Sequence, residues 1–190
     1  NGYTGDVCCT GCGEVIEYGK VIYMGASEGF TTVYKNEAVF KTLMADFEEA
    51  GVKAAEVEYN EARWKKAVWN MPFNGMTVVM NAQTNQLLAN PATMQLIHRQ
   101  MLEVIGAAQA LGVKNIDSSF ADRMIKMTLE MTPYSPSMKL DYDFHRPMEI
   151  EYLYSNAIAE AHRAGYAMPC LEMLEAQLKF LSERQRVAGK

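Results

Sequence analysis

Lys20 to Met24 and Phe30 to Tyr34 are short runs of Val, Ile, Thr, Tyr and Phe separated by Gly25 and Gly29, and they predict a hairpin or two sheet strands in a Gly-rich stretch of residues 1–36. At Asn36 the period changes. Val39, Phe40, Leu43, Met44 and Phe47 recur at 3-and-4 spacing, which predicts an amphipathic helix from Glu37 through Ala50 with Gly51 as its stop. Val52 to Tyr59 alternates as one further strand. Beyond Asn60 the helical period dominates and predicts helices over 61–82, 92–111, 117–131, 147–164 and 169–187. Asn90-Pro91, Gly112, Asp117 or Ser118, and Pro169 supply the expected starts and stops. Residues 132–147 carry three prolines and read as an ordered loop between helices. The pattern therefore predicts a β/α segment over residues 1–60 and a helical domain over 61–190.

One helix departs from simple amphipathicity. Lys66, Asn70, Asn74, Thr77 and Asn81 form a polar stripe among Trp64, Val68, Trp69, Met71, Phe73, Met76, Val78, Val79 and Met80. A helix apolar over most of its circumference is a buried one, so these polar groups must face protein or a ligand cavity and need partners there. Pro72 lacks an N–H and should kink the helix, freeing backbone carbonyls beside the stripe.

Composition narrows the function classes. The formal net charge of −5 and the absence of a long basic run argue against a nucleic-acid partner. Asn70, Asn74 and Asn81 interrupt the longest candidate for a membrane span, and the polar start lacks a signal-peptide pattern, so a soluble cytoplasmic protein is expected. Cys9 and Cys12 form a C-x-x-C beside Cys8, with Cys170 far away. Neither a second such pair nor an H-x-x-x-H follows, so free thiols are favoured over a metal site. His98, His145 and His162 are scattered, and Met124, Met127 and Met131 suit a core better than a metal. Gly11-x-Gly13 superficially resembles a phosphate loop, but Ile16 stands where the third glycine belongs.

Two constellations can carry chemistry. Lys66 with Asn70 and Asn74 is the first. An ammonium among apolar neighbours gives up its proton more readily than one in water, and amides one and two turns along can hold a substrate oxygen. Equally, Lys66 can reach the surface along its stem while the asparagines bond neighbouring backbone. The second constellation is Ser137-Met138, Asp141, Arg146 and Glu149. A hydroxyl and backbone N–H groups suit a small acid's carboxylate, and Glu149 suits a hydroxyl. The plainer alternative makes Glu149 a first-turn charge and Asp141–Arg146 a loop brace.

W-K-K-x-x-x-N-x-x-x-N at Trp64, Lys66, Asn70 and Asn74, followed by S-M-x-x-D-x-x-x-x-R-x-x-E-I-E from Ser137 through Asp141, Arg146, Glu149 and Ile150, resembles the C-terminal domain of the ketopantoate reductase (2-dehydropantoate 2-reductase) family. Glu103 and the late pattern Ala161, Gly165, Pro169 agree with it. The resemblance implies a mainly α fold: a multi-helix C-terminal substrate domain of 6-phosphogluconate dehydrogenase C-terminal-like type, preceded by a β/α remnant of a Rossmann-type nucleotide-binding domain. It implies Lys66 as the general acid that protonates a keto oxygen while NADPH delivers hydride, and Glu149 as the group binding the substrate hydroxyl. Asn70 and Asn74 would hold substrate and Ser137 would contact its carboxylate. The expected activity is NADP-dependent reduction of a 2-oxoacid, 2-dehydropantoate to pantoate in pantothenate biosynthesis, with a small 2-oxoacid as partner, a possible homodimer, and no nucleic acid, membrane or metal.

Three departures qualify that expectation. The family's glycine fingerprint is missing, so this chain, as a truncated form, is expected to bind NADPH poorly and to be inactive alone. Tyr134 stands where members often carry Asn; Tyr154-Ser155 replaces a frequent Asn-Gly, and Glu151 a common Asp. These changes leave room for a paralogous reductase of another 2-oxoacid. A non-catalytic helical interaction or dimerisation module is the alternative of a different class. The catalytic reading requires Lys66, Asn70, Ser137 and Glu149 to converge on one open cavity.

Overall fold

In a computed structural model, residues 20–24, 30–34, 37–51, 54–133 and 135–188 are described. Cys8, Cys9, Cys12, the Gly11-x-Gly13 pair and Tyr134 lie outside them. The chain divides into two compact units, residues 1–63 and 64–190.

In the first unit, strands β1 (Lys20–Met24), β2 (Phe30–Tyr34) and β3 (Ala54–Glu58) form a sheet of order β2-β1-β3. Both pairings are antiparallel, with Val21 opposite Val33 on one side and Val57 on the other. β-branched and aromatic residues predominate in β1 and β2 because they fit a pleated surface better than a helix, whereas β3 has only Val57 of this kind. Helix α1 (Glu37–Glu49) follows β2, with Phe40 fully buried, and the chain turns at Gly51, whose φ of +69° suits a residue without Cβ. The Glu58 carboxylate accepts the Glu61 N–H at 2.7 Å and so starts the next helix.

The helical unit is built on α2 (Tyr59–Val79), which runs unbroken through Pro72. Around it come α3 (Thr84–Ala89), α4 (Pro91–Ala110), α5 (Ser119–Glu130), α6 (Ser137–Asp143), a π-helical turn (Glu151–Ser155) leading into α7 (Asn156–Arg163), and α8 (Pro169–Ala188). Every residue from Met71 to Val78 is buried, as an almost wholly apolar helix requires. Val68, Met71, Phe73 and Met76 pack in one core with Ile97, Met101 and Val104 of α4 and Leu171, Leu174 and Leu178 of α8. Asn90 caps α4 through Ala92 N–H (2.9 Å) and Thr93 N–H (3.3 Å), and Asp117 caps α5 through Ser119 N–H (2.8 Å). A mainly helical domain preceded by a β/α segment is thus the observed fold.

Three details differ from the sequence pattern. Residues 132–147, expected as loop, contain α6: Pro133 and Pro136 precede its first turn and Pro147 follows its end, so no proline lies inside it. Helix α3 is six residues long, too short to show a period. Asn81 is not on the stripe, because α2 ends at Val79 and Asn81 sits exposed in the turn at φ +48°. Among the described residues no helix is long and apolar enough to cross a membrane.

Candidate active site on α2

The polar stripe sinks into the protein along α2. Lys66 and Asn70 are half-buried, Asn74 is 4% exposed and Thr77 is fully buried. Thr77 Oγ1 donates to the Phe73 carbonyl (2.7 Å) with the Asn74 carbonyl also in range (3.1 Å), which satisfies it within its own helix. The Lys66–Asn70 end is thus the more accessible part of the stripe.

Asn74 joins the two constellations. Its Nδ2 donates to the Asn70 carbonyl at 2.9 Å, and its Oδ1 accepts the backbone N–H of Met138 at 3.1 Å across 64 residues of chain. Ser137, the exposed first residue of α6, is thereby held beside the stripe. A buried carboxamide with both ends engaged fixes the geometry of its neighbours. Lys139 of α6 is 6% exposed and pairs with Asp143 one turn on. The expected loop brace is present, with Arg146 Nε donating to Asp141 at 2.8 Å.

Glu149 is exposed and stands just ahead of the π-helical turn, its carbonyl accepting Leu153 N–H at 3.0 Å. Two cavities of about 440 and 430 Å³ occur in this unit. Val79, Met173 and Phe180 are among the residues lining one; Met148, Glu151, Ser155 and Lys179 are among those lining the other. Neither is lined by Lys66, Asn70, Ser137 or Glu149. The structure thus brings Asn70, Asn74 and the Ser137 segment together and leaves Glu149 on the neighbouring stretch.

That stretch enters α2 through Tyr154. The Tyr154 side chain is fully buried, and its hydroxyl donates to the Met71 carbonyl at 2.6 Å and lies against Gly75. Helix α2 is unbroken here, so the Met71 carbonyl, with two lone pairs, receives the phenol beside its helical partner. Gly75 makes this possible: a Cβ there would lie 2.6 Å from the Tyr154 hydroxyl and 2.5 Å from Leu174 Cδ2.

Elsewhere in the unit, Glu103 holds the start of α8. Its carboxylate accepts the N–H groups of Cys170 (3.0 Å) and Leu171 (3.1 Å), the anion-at-N-terminus arrangement that the helix dipole favours. Burial, and then hydrogen bonding to Glu103, push the Cys170 thiol up to about 11. Because the thiolate is the nucleophile, Cys170 should alkylate about a hundredfold more slowly at pH 8 than an ordinary cysteine. Peptide mass mapping of iodoacetamide uptake reads this, and an ordinary rate would count against the Glu103 contact. Among the described residues no group of His, Cys, Asp and Glu could hold a metal ion.

A nucleotide cradle of the usual kind needs a strand, a glycine-rich turn and a helix N-terminus in sequence. The described residues offer none: the sheet is antiparallel throughout and α2 begins at an acidic cap. They do not fit a dinucleotide.

The family model described as ketopantoate reductase PanE/ApbA C terminal matches residues 58–182, the whole stretch from the α2 cap to α8. The chain belongs to the ketopantoate reductase family. A 2-dehydropantoate 2-reductase of Nostoc sp. (strain PCC 7120) is 37% identical over 172 residues, covering 90% of this chain and 53% of that protein. A crystal structure of 2-dehydropantoate 2-reductase from Geobacter metallireducens GS-15 superposes with a TM-score of 0.71 at 30% identity, covering 84% of this chain and 58% of that one. D-mandelate dehydrogenase in a ternary structure with NADH and anilino(oxo)acetate shares the fold at 20% identity and a TM-score of 0.69, covering 91% of this chain and 96% of that one. The chain spans about half the length of the 2-dehydropantoate 2-reductase sequences it matches, 53% and 56% for the Nostoc and Halobacterium salinarum proteins.

Proposed function

We propose that this chain is the substrate-binding and proton-donating part of an NADP-dependent 2-oxoacid reductase, with 2-dehydropantoate as substrate and pantoate as product. The Asn74–Met138 bond carries the reading, because it joins the Lys66 stripe to the Ser137 segment, the two halves of the family motif. Lys66 donates the proton to the keto oxygen as negative charge develops there. Asn70 and Ser137 hold the substrate, Ser137 at its carboxylate, with Asn74 as the floor that sets them. Glu149 binds the substrate hydroxyl, which requires the Glu149 stretch to close toward the stripe when substrate is bound. The hydride comes from NADPH held by parts of the protein other than the described residues. Residues 1–60 fit the C-terminal part of the Rossmann-type domain and 61–190 the helical catalytic domain. A cytoplasmic location follows from the same reading.

The test is turnover by the full-length protein with NADPH across a panel of 2-oxoacids. Highest kcat/KM on 2-dehydropantoate supports the reading. Preference for another 2-oxoacid makes the protein a paralogous reductase, a choice that Tyr154 in place of the frequent Asn favours, and no turnover of any removes the enzymatic reading.

A second copy of the chain is the proposed partner. Met173 and Phe180 are 65% and 63% exposed on one face of α8, beside the cavity completed by Val79 and Leu181. The first half of α8 carries Glu172 and Glu175, and the second half Lys179, Arg184 and Arg186 against Glu183. Two such helices packed antiparallel place opposite charges together and Phe180 near the two-fold axis. A dimeric ketopantoate reductase from Staphylococcus aureus shares the fold at 17% identity and a TM-score of 0.70. Phe180→Glu should convert the full-length dimer to monomer in sedimentation velocity; a monomeric wild type at tens of micromolar would sink the proposal.

A further inference from the structure

We infer that Tyr154 is a positioning residue of the 2-oxoacid site: its hydroxyl, bonded to the Met71 carbonyl and seated against Gly75, sets the Asn70/Asn74 face of α2 against the stretch that begins at Glu149. The inference rests on the function proposed above and deepens it.

The placement is specific at both ends. On α2, the rung against which Tyr154 lies runs from Met71 to Gly75, and Asn70 and Asn74 each stand one residue before one of its ends. The Asn70 carbonyl already receives Asn74 Nδ2, and Asn74 Oδ1 receives Met138 N–H. A shift of this rung therefore moves both amides and the backbone next to Ser137. Pro72 lies inside it and supplies no N–H, so the local ladder has less to hold it than an ordinary helix has. At the other end, Tyr154 sits five residues after Glu149, in a π-helical turn closed by Leu153 N–H on the Glu149 carbonyl and by Asn156 N–H on the Glu151 carbonyl. The wider turn gives Tyr154 its reach into α2 and gives the Glu149 backbone its place.

Space filling does not account for this arrangement. A phenylalanine would fill the same volume, while the hydroxyl adds a 2.6 Å bond to the Met71 carbonyl. Complete burial keeps the phenol protonated and hence a donor to Met71. Gly75 is the matching residue, since any larger one would push the hydroxyl away from Met71.

The experiment uses the full-length protein with NADPH and the best 2-oxoacid from the panel, comparing wild type, Tyr154→Phe and Ile97→Val. Ile97 is fully buried on α4 and reports general core loosening. Tyr154→Phe should raise KM for the 2-oxoacid about tenfold with KM for NADPH changed less than twofold. Amide exchange should quicken in peptides covering 68–79 and 149–156. Ile97→Val should lower Tm comparably and leave the 2-oxoacid KM alone. If wild type turns over and Tyr154→Phe matches Ile97→Val in KM and in regional exchange, the positioning role is overturned while the proposed function stands. If wild type turns over no 2-oxoacid, the proposed function is what fails, and the positioning role goes with it.

Discussion

Replacing Lys66 by alanine in the full-length protein should lower kcat for 2-oxoacid reduction about a thousandfold, with KM for both substrates within about threefold of wild type. General acids contribute about 10²–10⁴ in rate, and here the same ammonium also stabilises the oxyanion that hydride addition creates. A thousandfold corresponds to about 4 kcal/mol of transition-state stabilisation. Calorimetry should confirm that the variant is folded, since the stem of half-buried Lys66 also packs and its removal carries a stability cost separate from the rate. Lys66→Arg separates the two contributions: the charge remains, but a guanidinium does not give up its proton, so only part of the rate should return. Steady-state kinetics at saturating NADPH reads all three proteins. A Lys66→Ala enzyme with wild-type kcat would remove Lys66 from the chemistry and leave the stripe as a structural feature.

Gly75→Ala is the second large effect, and it falls on stability. In an exposed helix this change gains about 1 kcal/mol from propensity. At position 75 the added methyl meets the Tyr154 hydroxyl at 2.6 Å and two atoms of Leu174 at 2.5 and 2.8 Å. Leu174 is 2% exposed and Tyr154 is fully buried, so neither has open space to move into. Overpacking costs about 1–3 kcal/mol, and driving the phenol from the Met71 carbonyl leaves its buried hydroxyl unpaired at about 1–3 kcal/mol more. The clash outweighs the propensity gain, and the net loss is about 2 kcal/mol. For a chain of this length that is a Tm lower by about 4–8 °C. Calorimetry checks it; an unchanged or raised Tm would mean that the α2–Tyr154 contact is looser than the geometry implies. The double variant Gly75→Ala/Tyr154→Phe should lose less than the sum of the two single changes, since both act on the same rung.

The sequence made the elements legible where each had its own period. β1 and β2 are bounded as their apolar runs and glycines indicate, and α1, α4 and α8 lie within a residue or two of their periodic stretches. It failed at α6, where prolines that flank a helix looked like prolines that forbid one, and at Asn81, which shares the spacing of the stripe but follows the end of the helix. Polarity on an apolar helix marked α2 as buried and the Asn74 amide as partnered, and both are observed. What spacing alone does not encode is which partner. Tyr154 stood out only as a departure from a motif, and its counterpart Gly75 looked like one more small residue. A glycine among large apolar residues in mid-helix was the available signal of a close approach. The Glu103 cap of α8 was equally hidden, because the donor groups it serves are backbone and leave no trace in side-chain pattern.

The bonds that complete α2 come from far down the chain. Met138 lies 64 residues beyond Asn74, and Tyr154 lies 83 residues beyond Met71. The start of α8 is likewise tied to a carboxylate 68 residues before Leu171. During synthesis α2 thus emerges long before the Asn74 carboxamide oxygen meets Met138 and the Met71 carbonyl meets Tyr154. A mostly helical domain would ordinarily fold fast through local contacts, but here the rate must include closure of these long loops. The polar stripe, apolar on every other side, is the stretch most exposed to misassembly while the chain waits for its last helices to arrive.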